Sequence, residues 1–339
     1  MQPMRPRTAV RHPRNGEPDL SFWRQAFGRK GALPDCALNA PRGRRFPSPA
    51  GRVTCRASMP ELPEVEFARR SLVRWFDGHR LVRTEADKKA RTFRGAKVAD
   101  FLKVKGALKS ALRRGKYLLL AFSDGRGLVA HLGMTGKFVK RRPTEDVPYS
   151  RARFVLDSGD VIHFRDPRLF GRIEPAPASK LAEVGAVAAL GRDPLVDGLT
   201  PEQLEDALGR SKQDLKVALM DQSRLAGLGN IHAAEALFRA RLHPGRKPTS
   251  LSKAEWGALA KAIDDGITFA LEEEGDDGEI DYVEEPGAPN PFLVYGRAGE
   301  PCRRCKAIIK SFTQGGRTTH YCPSCQPKHP KHPKQRSTP

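Results

Sequence analysis

The sequence has no hydrophobic run long enough to cross a membrane, which excludes an integral helical membrane protein. The apolar run Tyr117–Phe122 has only the length of a β-strand. Aromatic residues make up 7% and hydrophobic residues 39% of the 339 residues. These values fit a water-soluble globular protein of two or more domains with no membrane partner.

Acidic residues are also few: the sequence has 39 Asp and Glu residues and 60 Lys and Arg residues. The formal net charge is +21 and the isoelectric point is about 10.1. Residues 1–58 carry +9 of this charge and residues 326–339 carry +4, which leaves +8 for residues 59–325. Residues 59–325 therefore carry a net positive charge of their own, which indicates a polyanionic partner, most often nucleic acid.

Only six cysteines are present, and four of them fall into one motif, Cys302-x2-Cys305-x16-Cys322-x2-Cys325. Two CxxC turns at this separation predict one structural zinc ion, held tetrahedrally by four thiolates at the ends of a hairpin. All four positions are filled by protein, so no site is left for a reactive water. Disulfides are the alternative, but nothing in the sequence indicates secretion.

Residues 1–58 are rich in Arg, Pro and Gly and predict a disordered basic extension. Cys36 and Cys55 lie there without a partner pattern. We expect an over-long start or a removed segment, so that the mature chain begins at Pro60. An organellar transit peptide and a genuine basic arm are the alternatives.

Hydrophobic patterns and turn signals predict a β-rich domain over residues 59–176, followed by a linker over 177–199. The predicted strands flank two hairpin signals, Ser123-Asp124-Gly125 and Asp157-Ser158-Gly159-Asp160. These strands are Lys116–Phe122, Leu128–Leu132, Ala152–Leu156 and Val161–Arg165.

The pattern becomes helical over residues 200–291. Capping boxes start helices at Thr200 and Ser252, and Lys212–Asp221 and Ile231–Ala240 predict two more on either side of Gly227-Leu228-Gly229-Asn230. Residues 292–326 form the cysteine module and residues 327–339 a disordered basic tail. The fold class is therefore α+β.

The stretch Met59-Pro60-Glu61-Leu62-Pro63-Glu64-Val65-Glu66 resembles a protein N-terminus. If Met59 is removed, Pro60 becomes a free secondary amine, and an α-amino group has a pKa near ~8. Such an amine can form a Schiff base with an aldehyde-like carbon, with Glu61 and Glu64 beside it. The alternative is that Pro63 and the acidic residues simply begin a helix, and both interpretations can hold together.

Several motifs together resemble the formamidopyrimidine-DNA glycosylase and endonuclease VIII family across residues 59–325. They are the octapeptide at Met59, His131–Gly136, Asp166–Gly171, Met220–Glu235 and the cysteine module. The resemblance implies an N-terminal β-sandwich with an N-terminal helix, a helix–two-turns–helix domain and a C-terminal β-hairpin zinc finger. It also implies a bifunctional DNA glycosylase and AP lyase of base excision repair. Such an enzyme acts on damaged double-stranded DNA through a proline Schiff base and β,δ-elimination, with zinc as its only cofactor.

The resemblance assigns catalytic roles to Pro60, Glu61 and Glu64, and to Lys116, which grips the phosphate beside the damaged nucleotide. It also implies a wedge of three residues that fills the space left by a flipped base. The wedge residues are Met134, Arg168 and Phe170. The other implied DNA contacts are His131, Lys216, Asn230, Tyr295 and Arg317.

Two positions depart from the family pattern. Leu169 stands where the family usually has a second arginine. The segment Glu272–Pro291 is acidic and lacks the Thr-Thr element that closes over an oxidised purine. Formamidopyrimidines are therefore the expected substrates, 8-oxoguanine stays open, and an endonuclease VIII-like preference for oxidised pyrimidines is the alternative.

Two rival functions belong to other classes. If residues 1–58 are retained, Pro60 is an amide that cannot attack a sugar, and a non-catalytic lesion-binding or DNA-binding protein results. A zinc-ribbon RNA-binding protein is more distant, because the Pro-Glu start and the wedge residues speak against it. We expect a monomer in a bacterial-type cytoplasm, associated with the nucleoid, with organellar import through residues 1–58 as the alternative.

Overall fold

The computed structural model describes residues 60–87, 91–93, 98–273 and 290–328. The predicted basic extension, most of the acidic segment 272–291 and the tail from residue 329 lie outside these ranges. In the part of the chain that the structure describes, every helix is too short or too polar to cross a bilayer.

Helix α1 spans Leu62–Phe76 and begins as the octapeptide predicts. Glu61 is the N-cap and forms a capping box with Glu64, so two of the otherwise unpaired N–H groups of the first turn are satisfied. Pro63 fits the first turn because its missing N–H is not needed there. The buried face of α1 then packs on the first hydrophobic core.

Eight antiparallel strands and one short helix, α2, follow α1 in the described part of the chain. In chain order they are β1 Arg80–Ala86, α2 Val98–Phe101, β2 Gly106–Arg114, β3 Tyr117–Phe122, β4 Arg126–His131, β5 Lys137–Arg141, β6 Ser150–Leu156, β7 Val161–Arg165 and β8 Arg172–Pro177. The four predicted strands are confirmed as β3, β4, β6 and β7. The other four were missed because charged residues interrupt their apolar pattern, as Arg80, Arg83 and Glu85 do in β1.

The strands are ordered β5-β7-β6-β1-β2-β3-β4-β8. Only two residue pairs, Arg80 with Ala107 and Leu81 with Gly106, join β1 to β2. The sheet therefore bends into two four-stranded halves, and buried residues of both halves share one core. Strand β8 ends at Pro177, one residue beyond the predicted domain boundary, and its prolines are tolerated because it is an edge strand.

Six helices build the next part of the described chain. They are α3 Gly185–Ala188, α4 Pro194–Asp197, α5 Pro201–Leu208, α6 Leu215–Leu219, α7 Asn230–Arg239 and α8 Lys253–Glu273. The predicted capping boxes form at Thr200 and at Ser252. Helix α6 is shorter than the predicted span 212–221. A second core, which includes Trp256, joins α5, α6, α7 and α8.

The cysteine module contains a two-stranded hairpin, β9 Lys310–Gln314 and β10 Arg317–Tyr321. Its inner side packs on α7 through a small cluster that includes Phe238, Val294 and Ile309. The predicted α+β fold class is confirmed.

Candidate active site

The carboxylate of Glu61 is the best-anchored acidic group of the site. It is 1% exposed and accepts three backbone N–H groups at the start of α7, from Gly229 (2.7 Å), Ile231 (2.9 Å) and His232 (3.1 Å). The positive end of a helix dipole stabilises such a carboxylate. Glu61 therefore joins the first turn of α1 to a helix that lies far along the chain.

Glu64 lies one turn further on and is also 1% exposed. Its Oε2 accepts the backbone N–H of Glu61 at 2.8 Å. Its Oε1 lies 3.9 Å from Nε2 of His232, an ion pair too long for a hydrogen bond. Burial raises the pKa of Glu64, but the interactions with His232 and the backbone N–H groups that the carboxylate accepts together outweigh burial, so the pKa lies below its ordinary value.

His232 is buried beside three carboxylates. Burial lowers its pKa, but Glu64, Glu61 and Glu235 together raise the pKa to about 8. The imidazole is therefore protonated at neutral pH, and it supplies the positive charge that keeps Glu64 ionised.

Lys116 and Glu61 approach each other across the backbone of Gly229. A methyl group added at Gly229 would lie 2.4 Å from Cδ of Glu61 and 2.7 Å from Nζ of Lys116. Burial lowers the pKa of Lys116, and the negative charges of Glu61 and Glu64 offset this only in part. Only glycine leaves room for the two charged groups at position 229.

A buried ion network holds the turn that carries Lys116. Asp193 accepts Nη2 of Arg113 at 2.9 Å and the backbone N–H of Gly115 at 2.6 Å. Arg113 also donates through Nε to Glu66 at 3.3 Å. Because Asp193 caps α4 as well, it connects the β2–β3 turn to the segment between the two domains.

His131 ends β4 next to Lys116. Its Nδ1 accepts the backbone N–H of Gly133 at 3.0 Å, so the neutral ring carries its proton on Nε2. Burial and the charges of Lys116 and Arg172 lower the pKa of His131 to about 4. At neutral pH the ring is thus an uncharged hydrogen-bond donor.

The three predicted wedge residues lie on two adjoining loops. A methyl group at Gly133, next to Met134, would lie 2.4 Å from the carbonyl carbon of Phe170. Phe170 is 50% exposed, and the guanidinium carbon of Arg168 lies 5.0 Å from its ring centre. An exposed aromatic ring and a cation on one ridge can insert between bases.

Asp166 holds these two loops together from a fully buried position. Its Oδ1 accepts the hydroxyl of Thr135 at 2.7 Å, and its Oδ2 accepts the backbone N–H of Gly171 at 2.7 Å. Leu169 adopts a positive φ of 60° between the two exposed wedge side chains.

Lys216 lies at the junction of α6, α7 and the hairpin. Its side chain is buried, and Nζ donates to the side-chain oxygen of Asn230 and to the hydroxyl of Thr319 at 2.9 Å. Burial, together with the charge of Arg317, lowers the pKa of Lys216 to about 8. Lys216 thus fixes the side chain of Asn230 to the hairpin.

Asn230 is the first residue of α7 and donates its amide to the carbonyl of Thr318 at 3.2 Å and to the hydroxyl of Tyr295 at 3.5 Å. Arg317 is exposed at the start of β10. Lys216 and Arg317 line a groove of about 270 Å³ between α6 and the hairpin. The groove is also lined by the amides of Gln213 and Gln314 and by the carboxylate of Asp221, so its cationic and amide side suits a phosphate.

The four thiols of the cysteine module converge, with every pair of sulfur atoms within 4.8 Å. Sγ of Cys302 lies 3.9 Å from that of Cys325, and Sγ of Cys305 lies 3.4 Å from that of Cys322. These separations are too long for disulfides and agree with the roughly 3.8 Å edge of a tetrahedron whose Zn–S bonds are about 2.3 Å. The module therefore fits one structural zinc ion.

Models of known families match three parts of the chain. The N-terminal domain of formamidopyrimidine-DNA glycosylase matches residues 59–173, its H2TH domain matches residues 190–280, and a zinc finger found in FPG and IleRS matches residues 299–328. The formamidopyrimidine-DNA glycosylase of Heliobacterium modesticaldum is 38% identical over 278 residues, which cover 79% of this chain and 100% of that protein. The chain belongs to the formamidopyrimidine-DNA glycosylase family.

Solved structures of formamidopyrimidine-DNA glycosylases share this fold. The crystal structure of MutM (Fpg) from Thermus thermophilus is 37% identical, with a TM-score of 0.67, and the match covers 80% of this chain and all of that one. Fpg of Lactococcus lactis bound to DNA with an abasic site is 28% identical, with a TM-score of 0.70 and coverage of 79% and 100%. The Lactococcus enzyme has also been solved with Fapy-dG-containing DNA and with DNA that contains an oxidised pyrimidine.

The structure of this family member brings eight of the predicted site residues into two groups, in addition to His131 and the wedge loops. Pro60, which is buried, lies with Glu61, Glu64 and Lys116 at the start of α7. Lys216, Asn230 and Tyr295 contact the hairpin that carries Arg317, and Lys216 and Arg317 line the groove. The two groups meet at α7, where Glu61 caps the helix that begins with Asn230.

Two site residues of α7, His232 and Glu235, were not predicted from the sequence. His232 faces Glu64, and Glu235 accepts the backbone N–H groups of Val294 (2.8 Å) and Tyr295 (3.0 Å). Their spacing of three residues places both on one face of α7. That spacing, directly after Gly-Leu-Gly-Asn, is the signal that could have identified them.

Proposed function

We propose that this chain is a bifunctional DNA glycosylase and AP lyase of base excision repair that removes oxidised bases from double-stranded DNA. The observation that carries the proposal is the convergence of Glu61, Glu64 and Lys116 beside Pro60 at the start of α7. Family membership sets the reaction class, and this geometry supports its catalytic residues.

Binding of the kinked DNA backbone is the first step. Lys116, His131 and Arg317 would contact phosphates together with the groove beside Lys216 and Asn230. Contacts of this kind give an affinity that falls steeply as salt rises. The damaged base flips out, and Met134, Arg168 and Phe170 occupy its place.

The chemistry then uses the amine of Pro60, which must be the N-terminus of the mature chain. The amine nitrogen attacks C1′ of the sugar and the base leaves with the bonding electrons. Opening of the sugar ring converts C1′ into the carbon of a Schiff base. Elimination of the 3′ phosphate and then of the 5′ phosphate cleaves the strand and leaves a one-nucleotide gap.

Glu61 is suited to the proton transfers of ring opening and elimination. A carboxylate has about four acceptor positions, and the backbone of α7 occupies three of them. The N–H of Glu64 in the capping box approaches the same carboxylate, so these backbone donors fix the position of the carboxylate next to Pro60. Glu64 orients the backbone of Glu61, and thereby the neighbouring amine, through the hydrogen bond at 2.8 Å.

We propose formamidopyrimidines as the principal substrates, with 8-oxoguanine as a further candidate. Leu169 removes one cation from the wedge loop, and the acidic segment 272–291 lies largely outside the described residues. An endonuclease VIII-like preference for oxidised pyrimidines is the second candidate. Excision rates on three otherwise identical duplexes, one for each class of lesion, distinguish these spectra.

We further propose that the enzyme acts as a monomer in the cytoplasm, on nucleoid DNA. A body charge of +8 for residues 59–325 favours association with DNA. Sedimentation of the purified protein, alone and with a short duplex, tests the stoichiometry.

Borohydride trapping on a duplex with an abasic site tests the nucleophile. The full chain 1–339 is compared with a version that begins at Met59, from which the methionine is removed. We expect a covalent complex only from the shorter protein. A complex from neither, with DNA binding intact, would establish the non-catalytic alternative instead.

Intact mass and a matched pair of variants complete the test. A complex from a full chain whose mass still includes residues 1–58 would show that an amine other than that of Pro60 is the nucleophile. Glu61→Gln should slow the reaction about 100-fold or more, as expected for loss of a general acid–base group. Glu202→Gln, an exposed acidic residue of α5, is the control and should react at the wild-type rate.

A further inference from the structure

Arg172 is an exposed residue at the start of β8, directly after the wedge loop. The backbone N–H of the preceding Gly171 donates to the buried Asp166 at 2.7 Å, which fixes the start of the strand. In the register of the sheet, Arg172 lies directly opposite His131 of β4, and His131 lies opposite Tyr117 of β3. Arg172, His131 and Tyr117 therefore form one row of neighbouring side chains across three strands.

This row faces away from the first hydrophobic core. The adjacent row, one residue along each of the same strands, is buried in that core and consists of Leu118, Ala130 and Ile173. Because successive side chains of a strand point to opposite faces of a sheet, Arg172 lies on the outer face. The rings of Tyr117 and His131 contact each other on that face, with their centres 4.8 Å apart.

The polar groups at this edge of the sheet are hydrogen-bond donors, and Arg172 has no anion beside it. Arg172 forms no ion pair with the other residues of the described ranges, including Glu174, which lies two positions further along the same face. Burial and the positive charges of Lys116 and Arg172 lower the pKa of His131 to about 4, so its Nε2–H is a neutral donor. Two cations thus lie close enough to influence one histidine, and an anion that accepted from all three would relieve their repulsion.

A DNA phosphate fits this set of donors. A guanidinium presents its N–H groups in a planar fork that matches two phosphate oxygens. Lys116 and His131 are both predicted to contact phosphates. Arg172 extends that line by one strand, which is ~4.8 Å in the direction of the sheet hydrogen bonds.

We propose that Arg172 is a further DNA-binding residue, whose guanidinium donates to a phosphate of the damaged strand next to those held by Lys116 and His131. The proposal rests on the proposed function, because that function places the damaged strand on Lys116. The alternative is an exposed arginine that only protects an edge strand from pairing with another chain. In that case loss of the side chain would change DNA binding no more than loss of any other positive charge of the surface.

Binding at several salt concentrations tests the contact. The full chain 1–339 and a duplex with a tetrahydrofuran abasic analogue are used, so binding does not require the Pro60 amine. Arg172→Gln should lower the affinity about tenfold or more, as expected for loss of one charge-assisted hydrogen bond. The slope of the logarithm of the binding constant against that of the salt concentration should become shallower by about 0.9, the contribution of one phosphate. Arg172→Lys keeps the charge and should keep the slope.

Arg126→Gln is the matched control. Arg126 lies at the other end of β4, five residues from His131, which is about 17 Å at about 3.4 Å per residue. Its ion pair with Asp124 also keeps its charge away from the proposed contact. A charge at that distance is screened, because the Debye length is about 10 Å at 0.1 M salt. Both variants remove one positive charge, so the difference between them measures the contact and not the net charge.

Single methylphosphonate substitutions identify the phosphate. Each duplex carries one neutral group in place of one phosphate of either strand. We expect one position near the lesion on the damaged strand at which the substitution weakens binding by the wild type about tenfold. The same substitution should leave the affinity of Arg172→Gln unaltered, because that variant has already lost the interaction.

Stability separates a binding role from a structural one. Arg172→Gln should leave the melting temperature within about 2 °C of the wild-type value, because the side chain is exposed. A larger fall in melting temperature, a wild-type salt slope, an equal loss in Arg126→Gln, or coupling confined to the undamaged strand would each overturn the proposal. Failure of borohydride trapping, with the salt dependence of Arg172 as expected, would instead refute the proposed activity alone. The two failures are thus distinguishable.

Discussion

Replacing Asp193 by asparagine should destabilise the protein severely, although the two side chains have nearly the same shape. Asp193 is fully buried and accepts N–H groups from Arg113, Gly115, Leu195 and Val196. Arg113, whose side chain is 1% exposed, would keep only Glu66 at 3.3 Å as a partner for its charge. The asparagine NH₂ would also face donors in place of an acceptor.

The expected loss is about 3–5 kcal/mol, the cost of leaving one charge of a buried pair uncompensated. A folded protein of this size loses about 2–4 °C in melting temperature for each kcal/mol, so the transition should fall by roughly 6–20 °C. Because Gly115 is anchored by Asp193 and precedes Lys116, affinity for an abasic-analogue duplex should fall too.

Thermal unfolding followed by circular dichroism measures the effect. The control is Asp265→Asn, which breaks an ion pair with Lys261 that is 47% exposed on the Asp265 side. That pair is worth about 0.5 kcal/mol or less. If Asp193→Asn lowers the melting temperature no more than Asp265→Asn, the buried network does not hold the two domains as the structure indicates.

A double variant separates charge from packing. Arg113→Met combined with Asp193→Asn removes both charges while the asparagine oxygen can still accept the N–H groups of Leu195 and Val196, so it should recover part of the stability that Asp193→Asn alone loses. A double variant as unstable as Asp193→Asn would refute the electrostatic reasoning.

Two further outcomes follow from the site. His232 has a pKa raised from 6.5 to about 8, so its protonation beside Glu64, Glu61 and Glu235 should contribute about 2 kcal/mol of stability below pH 6.5, which is lost as pH rises through 8. Urea unfolding should therefore show a larger difference in the free energy of unfolding between wild type and His232→Gln at pH 6 than at pH 9. The comparison with the variant is needed because the pKa of Lys216 is lowered to about 8, so the titration of Lys216 changes the stability in the opposite direction. An equal difference at both pH values would contradict the ion pair. Removal of zinc by a chelator should release the hairpin that holds Lys216 and Asn230 through Thr319 and Thr318, and lower DNA affinity at least about tenfold. Elemental analysis should give about one zinc per chain before treatment, and full affinity after its loss would show that the hairpin does not need the metal.

Several elements could be predicted from the sequence because they depend on interactions between residues close together in the chain. The zinc site follows from two CxxC turns, and the capping boxes at Thr200 and Ser252 begin helices where the residue types satisfy free N–H groups. The turn residues of two hairpins likewise predicted the flanking strands β3, β4, β6 and β7. Each of these features involves partners a few residues apart, or ligands with a fixed spacing, so no knowledge of the fold is required.

Contacts between distant segments depend on how the whole chain folds. From the sequence, Glu61 is equally consistent with a helix cap of α1 and with a catalytic acid. It caps α7 only because folding brings residue 229 next to it. The same holds for Arg113 with Asp193 and for Lys216 with Thr319, which lie 80 and 103 residues apart. A charged residue in the sequence does not reveal which partner compensates it when buried, because that depends on which surfaces pack together. Residue types and spacing were enough to predict the fold class and the metal ligands, and the family resemblance supplied the site residues. The packing of α7 against α1 and the hairpin determined which of them lie together.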